Sequence, residues 1–276
     1  MNRLNTTKRA LMLGMLVEGN SMRTVSRMAD CSINTVTKLL ADVGAACSQY
    51  QHENLHNLPC KTIQCDEIWS FCNSKEKNVP QDRKGEFGVV DVYTWTALCA
   101  DTKLVPSFVV GTRDANYGHA FMLDLASRLS NRVQLTTDGR KVYLSAVENA
   151  FGSEIDYAML VKVYGAAEGI KDGRRYSPAV CTGAVIHQSS GAPDISKAST
   201  SFVERQNLNA RMSMRRFTRL TNGFSKKIEN LEHAVALHFM HYNFARIHKN
   251  LKYTPAMEAG VTNRLWSLGD IADLCG

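Results

Sequence analysis

Apolar residues recur at helical spacing three times in the first 47 positions. Leu11, Met15 and Leu16 mark one face of a helix over residues 7–18, which Gly19-Asn20 breaks. Ser21 can cap a second helix with Met22, Val25, Met28 and Ala29 turned inward. After a tight turn at Asp30-Cys31, Ser32 can cap a third over 33–47, with Ile33, Val36, Leu39, Leu40 and Val43 at core spacing. Two short helices joined by a turn of three to four residues form a helix-turn-helix pattern. The front of the third helix offers Asn34, Thr35, Thr37 and Lys38, short polar groups suited to base edges and phosphates. A three-helix bundle with no DNA role has the same pattern. Residues 48–60 are polar and aperiodic with a proline near the end, so the expected division is a helix-turn-helix domain over 1–50 and a linker over 51–60.

Beyond the linker the period changes to two. Residues 62–72, 87–99 and 104–111 read as strands, the last two joined across the short Asp101-Thr102-Lys103 connection. A helix over 115–129, a strand over 132–137, a helix over 142–151 and a strand over 157–163 follow. Three antiparallel strands, then helix, strand, helix, strand, give an α/β chain with a ribonuclease H-like mixed-sheet catalytic domain over 61–250. Within it, residues 166–200 hold four Gly and two Pro and read as a long loop or insertion, where Arg174 and Arg175 are phosphate contacts or a solvated pair. A helix over 228–250 carries Ile228, Leu231, Val235, His238, Tyr242 and Ala245 on one face. His238 and His241 are spaced to share a metal, but read better as hydrogen-bonded core histidines. Residues 251–276 form a helical tail.

Charge alters this picture in one place. The 276 residues carry 33 Lys+Arg against 26 Asp+Glu, a net +7. In 199–227 a single acid, Glu204, precedes Arg205, Arg211, Arg215, Arg216, Arg219, Lys226 and Lys227, which would supply that whole excess. The segment reads as a helix to about Leu220, and a local excess of this kind points to a polyanionic partner. No apolar run is long enough to span a membrane, and the first helix reads as amphipathic, not as a signal peptide, so the expected location is cytoplasmic. Eight cysteines contain no CxxC pair and read as reduced core residues. Cys31, Cys47, His52 and His56 lack the paired-cysteine knuckle of a zinc finger, and no zinc site is expected there.

Three acids sit at informative places: Asp66 inside the first strand, Asp138 at the end of the fourth, and Glu204 on the basic helix with Arg211 two turns later on the same side. First and fourth strands are neighbours in such a sheet, so the two aspartates can meet. Hard oxygen ligands suit two Mg²⁺ (or Mn²⁺) ions, which can serve an in-line phosphoryl displacement. Glu67 is expected on the opposite face by strand alternation, and Asp91 facing solvent or paired. Glu148 remains the rival of Glu204 for the third ligand.

The stretches CDEIWSF (65–71), TTDGRKVY (136–143) and FVERQNLNARMSMRRFTRLTNGFSKKIEN (202–230) resemble the DDE transposases of the IS1 insertion-sequence family. YNFARIHKNLKYTPAMEAG (242–260) is similar to the tail of these and related enzymes. The likeness runs from the helix-turn-helix to residue 260. It implies a catalytic, metal-binding triad of Asp66, Asp138 and Glu204, with Arg211 on a DNA phosphate near it. Arg205, Arg215, Arg216 and Arg219 read as further phosphate contacts or solvated cations, and Asn34, Thr35 and Lys38 would read the element's ends. The implied partners are double-stranded DNA, both terminal inverted repeats and target, and a second copy of the chain in a dimer or larger assembly at the bacterial nucleoid. Some members have a zinc-binding cysteine motif ahead of the helix-turn-helix, and this chain has none. A ribonuclease H-like nuclease or junction resolvase, or a regulator with a dead acid site, are the competing readings.

Overall fold

The computed structural model describes residues 4–84, 86, 88–165, 181–218 and 221–276. Its frame is a six-stranded sheet in the order β3-β2-β1-β4-β5-β6. The strands are β1 (Thr62–Cys72), β2 (Val90–Cys99), β3 (Ser107–Gly111), β4 (Val133–Asp138), β5 (Ile155–Tyr164) and β6 (Cys181–Ser190). β1, β2 and β3 are antiparallel, β4 runs parallel to β1, and β5 runs parallel to β4. The antiparallel run of β1–β3 is as read from the sequence, and the directions follow from β-branched and aromatic runs joined first by short turns and then through helices.

β6 is a correction. Residues 181–190 lie inside the stretch expected to be a loop or insertion, yet they pair antiparallel with β5. Their side chains are exposed on both faces, so no alternation of apolar and polar residues marks the strand, and backbone pairing alone makes it.

α4 (Ala115–Arg128) and α5 (Val142–Phe151) cover one face of the sheet, where Ile63, Cys65, Trp95, Phe121, Leu135 and Tyr143 pack together. α6 (Ser201–Ser213) and α7 (Ile228–Met240) cover the other, over Ile68, Val92, Leu98, Val203, Ala210, Leu231 and Val235. α6 was expected to continue to about Leu220. It stops at Ser213 because Met214 turns extended and drops into the core with Phe217, which lies in a single 3-10 turn.

The first three helices are α1 (Thr6–Val17), α2 (Met22–Met28) and α3 (Ile33–Asn54), started by Asn5, Ser21 and Ser32, whose side chains accept from the backbone N–H of Lys8, Thr24 and Thr35. α3 overruns the expected linker as far as Asn54. Buried Gln51 donates to the carbonyl of Ala236 on α7, and Arg128 of α4 donates to the Gln51 and Leu55 carbonyls. Partners far away in sequence satisfy polar groups that locally look like linker. Gly19, at φ 79°, turns the chain between α1 and α2 against the end of α6, and a β-carbon there would lie 2.8 Å from the Met212 carbonyl oxygen. Beyond a π turn over His241–Ala245 come α8 (Pro255–Glu258) and α9 (Leu268–Asp273). α9 packs on α1, with Arg9 donating to Asp273 at 2.8 Å.

Candidate active site

The register of the sheet builds the site. Gln64 pairs with Thr136 across β1 and β4, and two residues further on Asp66 reaches the level of Asp138, which itself pairs with Leu160 of β5. Alternation then turns Gln64, Asp66, Asp138 and Leu160 toward the face covered by α6. The Gln64 side-chain oxygen accepts from the N–H groups of Phe202 and Val203 at 2.9 and 3.2 Å, fastening the first turn of α6 to β1. One turn along, Asn207 donates to an Asp66 oxygen at 2.8 Å. The chain leaves β4 through Gly139, where a β-carbon would lie 2.7 Å from Val161. The backbone N–H of Arg140 then returns to Asp138 at 3.2 Å.

Asp66, Glu67 and Asp138 bring carboxylate oxygens within 4.8 Å of one another. Glu67 was expected to lie apart from the aspartates. Alternation does aim it at the α4–α5 face, where its side chain is fully buried. But the side chain is long and sits near the end of the sheet, so its carboxylate still approaches Asp138. Arg113 donates to it at 2.7 and 3.2 Å, and the Arg140 guanidinium lies 3.6 Å away. Both arginines also stand 3.8–3.9 Å from Asp138, so the two acids share them. The second Glu67 oxygen, Oε1, is buried with no hydrogen-bond partner.

Burial pushes the Asp66 carboxyl up to about 7; Glu67, Asp138 and Glu204 add to the rise, and the Glu67 backbone N–H partly opposes it. Asp138 is raised too, by burial and then by Glu67, against the pull of Arg140 and Arg113. Crowded, half-dehydrated carboxylates of this sort are a hard oxygen donor set, and Asp66 and Asp138 fit a divalent cation such as Mg²⁺ or Mn²⁺. Glu204 stands outside the 4.8 Å group. Lys162 of β5 contacts both of its oxygens at 2.5 Å, and Thr200 hydrogen-bonds to one of them.

The structure separates the other candidates. Glu148 is exposed on α5, across the sheet from α6. Asp91 pairs opposite Phe71, well along β1 from Asp66, and accepts from the Glu76 backbone N–H. On α6 and just after it, Arg205 is exposed while Arg211 and Arg215 are half-buried. Arg216, expected to face DNA, instead turns inward: it donates to Ser225 at 2.8 Å and helps hold the 225 segment against the end of β1. Arg219, Arg174 and Arg175 lie outside the described residues. On α3, Asn34 and Lys38 are exposed, Thr35 shares a 3.0 Å hydrogen bond with Ser32, and Lys38 pairs with Asp42 at 2.8 Å. His238 and His241 belong to the core around α7, where burial pulls them down to about 3 and about 4.

Gln64, Asn207, Lys162, Arg113 and Arg140 escaped the sequence reading. Asn207 alone carried a usable signal, because it follows Glu204 by three residues and therefore shares its side of the helix.

The chain is similar in structure to complexes of the Mos1 transposase. It matches the Mos1 strand transfer complex at 15% identity and a TM-score of 0.24, over 57% of this chain and 59% of that one. A pre-cleavage Mos1 transpososome matches at 11% and 0.22, over 57% and 60%, and the Mos1 mariner paired end complex with Mn at 13% and 0.22, over 54% and 57%. The chain thus spans less than two thirds of the length of these structures. Likeness at this level lends nothing to the reading of the site, which rests on its own geometry. No family model matches the chain, and no curated protein does. Among the described residues no helix is long and apolar enough to cross a membrane.

Proposed function

We propose that the chain is a DNA transposase of the IS1 type, with Asp66, Asp138 and Glu204 as its metal-binding residues. The observation that supports this best is the meeting of Asp66 and Asp138 at one sheet end beneath the helix that carries Glu204. When bound there, two divalent cations supply an activated attacking oxygen and a stabilised leaving oxygen for phosphodiester exchange. Asp66, Asp138 and Glu204 would hold them, and Asn207 keeps the Asp66 carboxylate oriented. Arg113 and Arg140 balance the buried Glu67 and, at longer range, Asp138, leaving the charge of Asp66 for the metal. Arg211 meets a phosphate beside the site, with Arg205 and Arg215 giving further contacts along the strand. Residues 1–50 act as a helix-turn-helix that reads the element's inverted repeats through Asn34, Thr35 and Lys38. The catalytic unit then hydrolyses a phosphodiester to free a 3′-OH and directs it onto target DNA. Joining two ends in one complex calls for two copies of the chain or more.

The test uses purified protein, Mg²⁺ and DNA carrying the sequences that flank its reading frame. Cleaved ends and joined products are expected, and Asp66→Asn and Asp138→Asn are expected to lower both by about a thousandfold or more while duplex binding persists. Cleavage that never leads to joining would favour the nuclease reading. DNA binding with no metal-dependent chemistry would favour the regulator.

A further inference from the structure

Lys162 continues the row of the active site by one step. It lies two residues beyond Leu160, the partner of Asp138, and so shares the α6-facing side of the sheet. Asp66, Asp138 and Lys162 therefore stand on three adjacent strands at one end of the sheet, with Glu204 above them on α6. The ammonium is shared between both Glu204 oxygens, and Thr200 occupies one of the same oxygens. Both Glu204 oxygens thus face a cation already, one of them carrying a second hydrogen bond. Its helix is already fastened over the site by Gln64 and Asn207. The cation that Glu204 meets is a lysine on a flexible four-carbon stem. The pair is only part-buried, with Lys162 33% and Glu204 38% exposed, and ion pairs open to water in this way are weak enough to exchange.

We propose that Lys162 is a placeholder cation. It holds Glu204 until a divalent ion takes its place. The released ammonium, tethered at the rim of the site, then takes a phosphate of the DNA. The inference rests on the metal-dependent reading above and adds an order of events. A phosphate that draws Lys162 away frees Glu204 for metal, and a metal on Glu204 frees Lys162 for phosphate. Binding of the two ligands is then reciprocal, each strengthening the other by the same factor.

The test is a Mn²⁺ titration of the full chain, read by the loss of free-ion paramagnetic resonance signal, with and without a duplex oligonucleotide. In the wild type, DNA is expected to tighten Mn²⁺ binding about fivefold or more. Lys162→Gln is expected to bind Mn²⁺ that much more tightly without DNA and to gain nothing further from it, whereas Lys162→Arg keeps the wild-type pattern. Lys162→Met, which retains the apolar stem, replaces the glutamine variant if that variant melts below the titration temperature. Unchanged or weaker Mn²⁺ binding in the charge-removing variant, with the effect of DNA intact, would mean that the pair only tacks β5 to α6, and the proposal falls. Asp66→Asn separates the layers: if it binds Mn²⁺ like the wild type, the metal site itself has been misplaced. No Mn²⁺ binding by the wild type overturns both.

Discussion

Asp66 and Glu67 are neighbours on β1, but the sheet sends them into opposite surroundings. Glu67 enters the α4–α5 face, is fully buried, and meets Arg113 and Arg140. Asp66 enters the α6 face, where it meets the neutral amide of Asn207, and burial drives its carboxyl up to about 7. One carboxylate has its countercharge built into the protein, and the other is left in want of one. Acids of the first kind hold a fold together, and acids of the second kind are suited to capturing a cation from solution. Adjacent positions in a strand are enough to divide the two tasks.

The contrast can be broken most forcefully at Glu67. Glu67→Gln leaves Arg113 and Arg140 with Asp138 alone, at 3.8–3.9 Å, and is expected to destabilise the fold by about 2 kcal/mol, read as a drop in melting temperature. Asp66→Asn is expected to leave stability near neutral pH unchanged or higher, because it removes a charge that burial disfavours. If both variants melted alike, the division between the two acids would not hold.

A pH series sharpens the same point. Folding raises the Asp66 carboxyl from 3.8 to about 7, so the folded chain retains a proton that the unfolded chain gives up. That contribution is fully present below 3.8 and is lost as pH rises through 7, at up to about 1.4 kcal/mol per pH unit between the two values. Denaturant melts of metal-free protein across this window are expected to show the falling trend, and Asp66→Asn to flatten it. Excess Mg²⁺ should reverse the loss near neutral pH, since a ligand that binds only the folded form stabilises it. A wild-type slope identical to that of the variant would show that Asp66 titrates like an exposed acid.

The smallest effect belongs to the cations on the α6 side. Arg211→Ala is expected to weaken duplex binding modestly and to reduce the slope of log affinity against log salt by about 0.9, one phosphate contact. Measured alongside Arg216→Ala, it separates a residue proposed to meet a phosphate from one committed to Ser225. A slope reduced by both alike would place Arg216 on DNA as well.

Much of this was legible in the sequence, and the gaps have physical causes. The sheet could be read because β-branched and aromatic runs alternate between short turns and helices. Asp66 and Asp138 stood out as acids at points where strands of one sheet lie side by side. Alternation gave the correct face for Glu67 but could not say that its side chain reaches back to the sheet end. Lys162 and Gln64 look like any polar residue in a half-buried strand, and only the position of α6 gives them work. β6 is exposed on both faces and leaves no pattern, and α3 outran its expected end because Gln51 is satisfied by a residue 185 positions away.

The pairing of Arg9 with Asp273 has a bearing on how the chain comes into being. These residues are 264 positions apart, and Met12 and Leu13 of α1 share one core with Ile271 and Ala272 of α9. A chain growing from a ribosome must add 264 residues beyond Arg9 before that contact can form. α1 finishes packing only after α9 is made, and β1 must likewise wait for β4. Until α9 has been made, α1 keeps an unsealed apolar side.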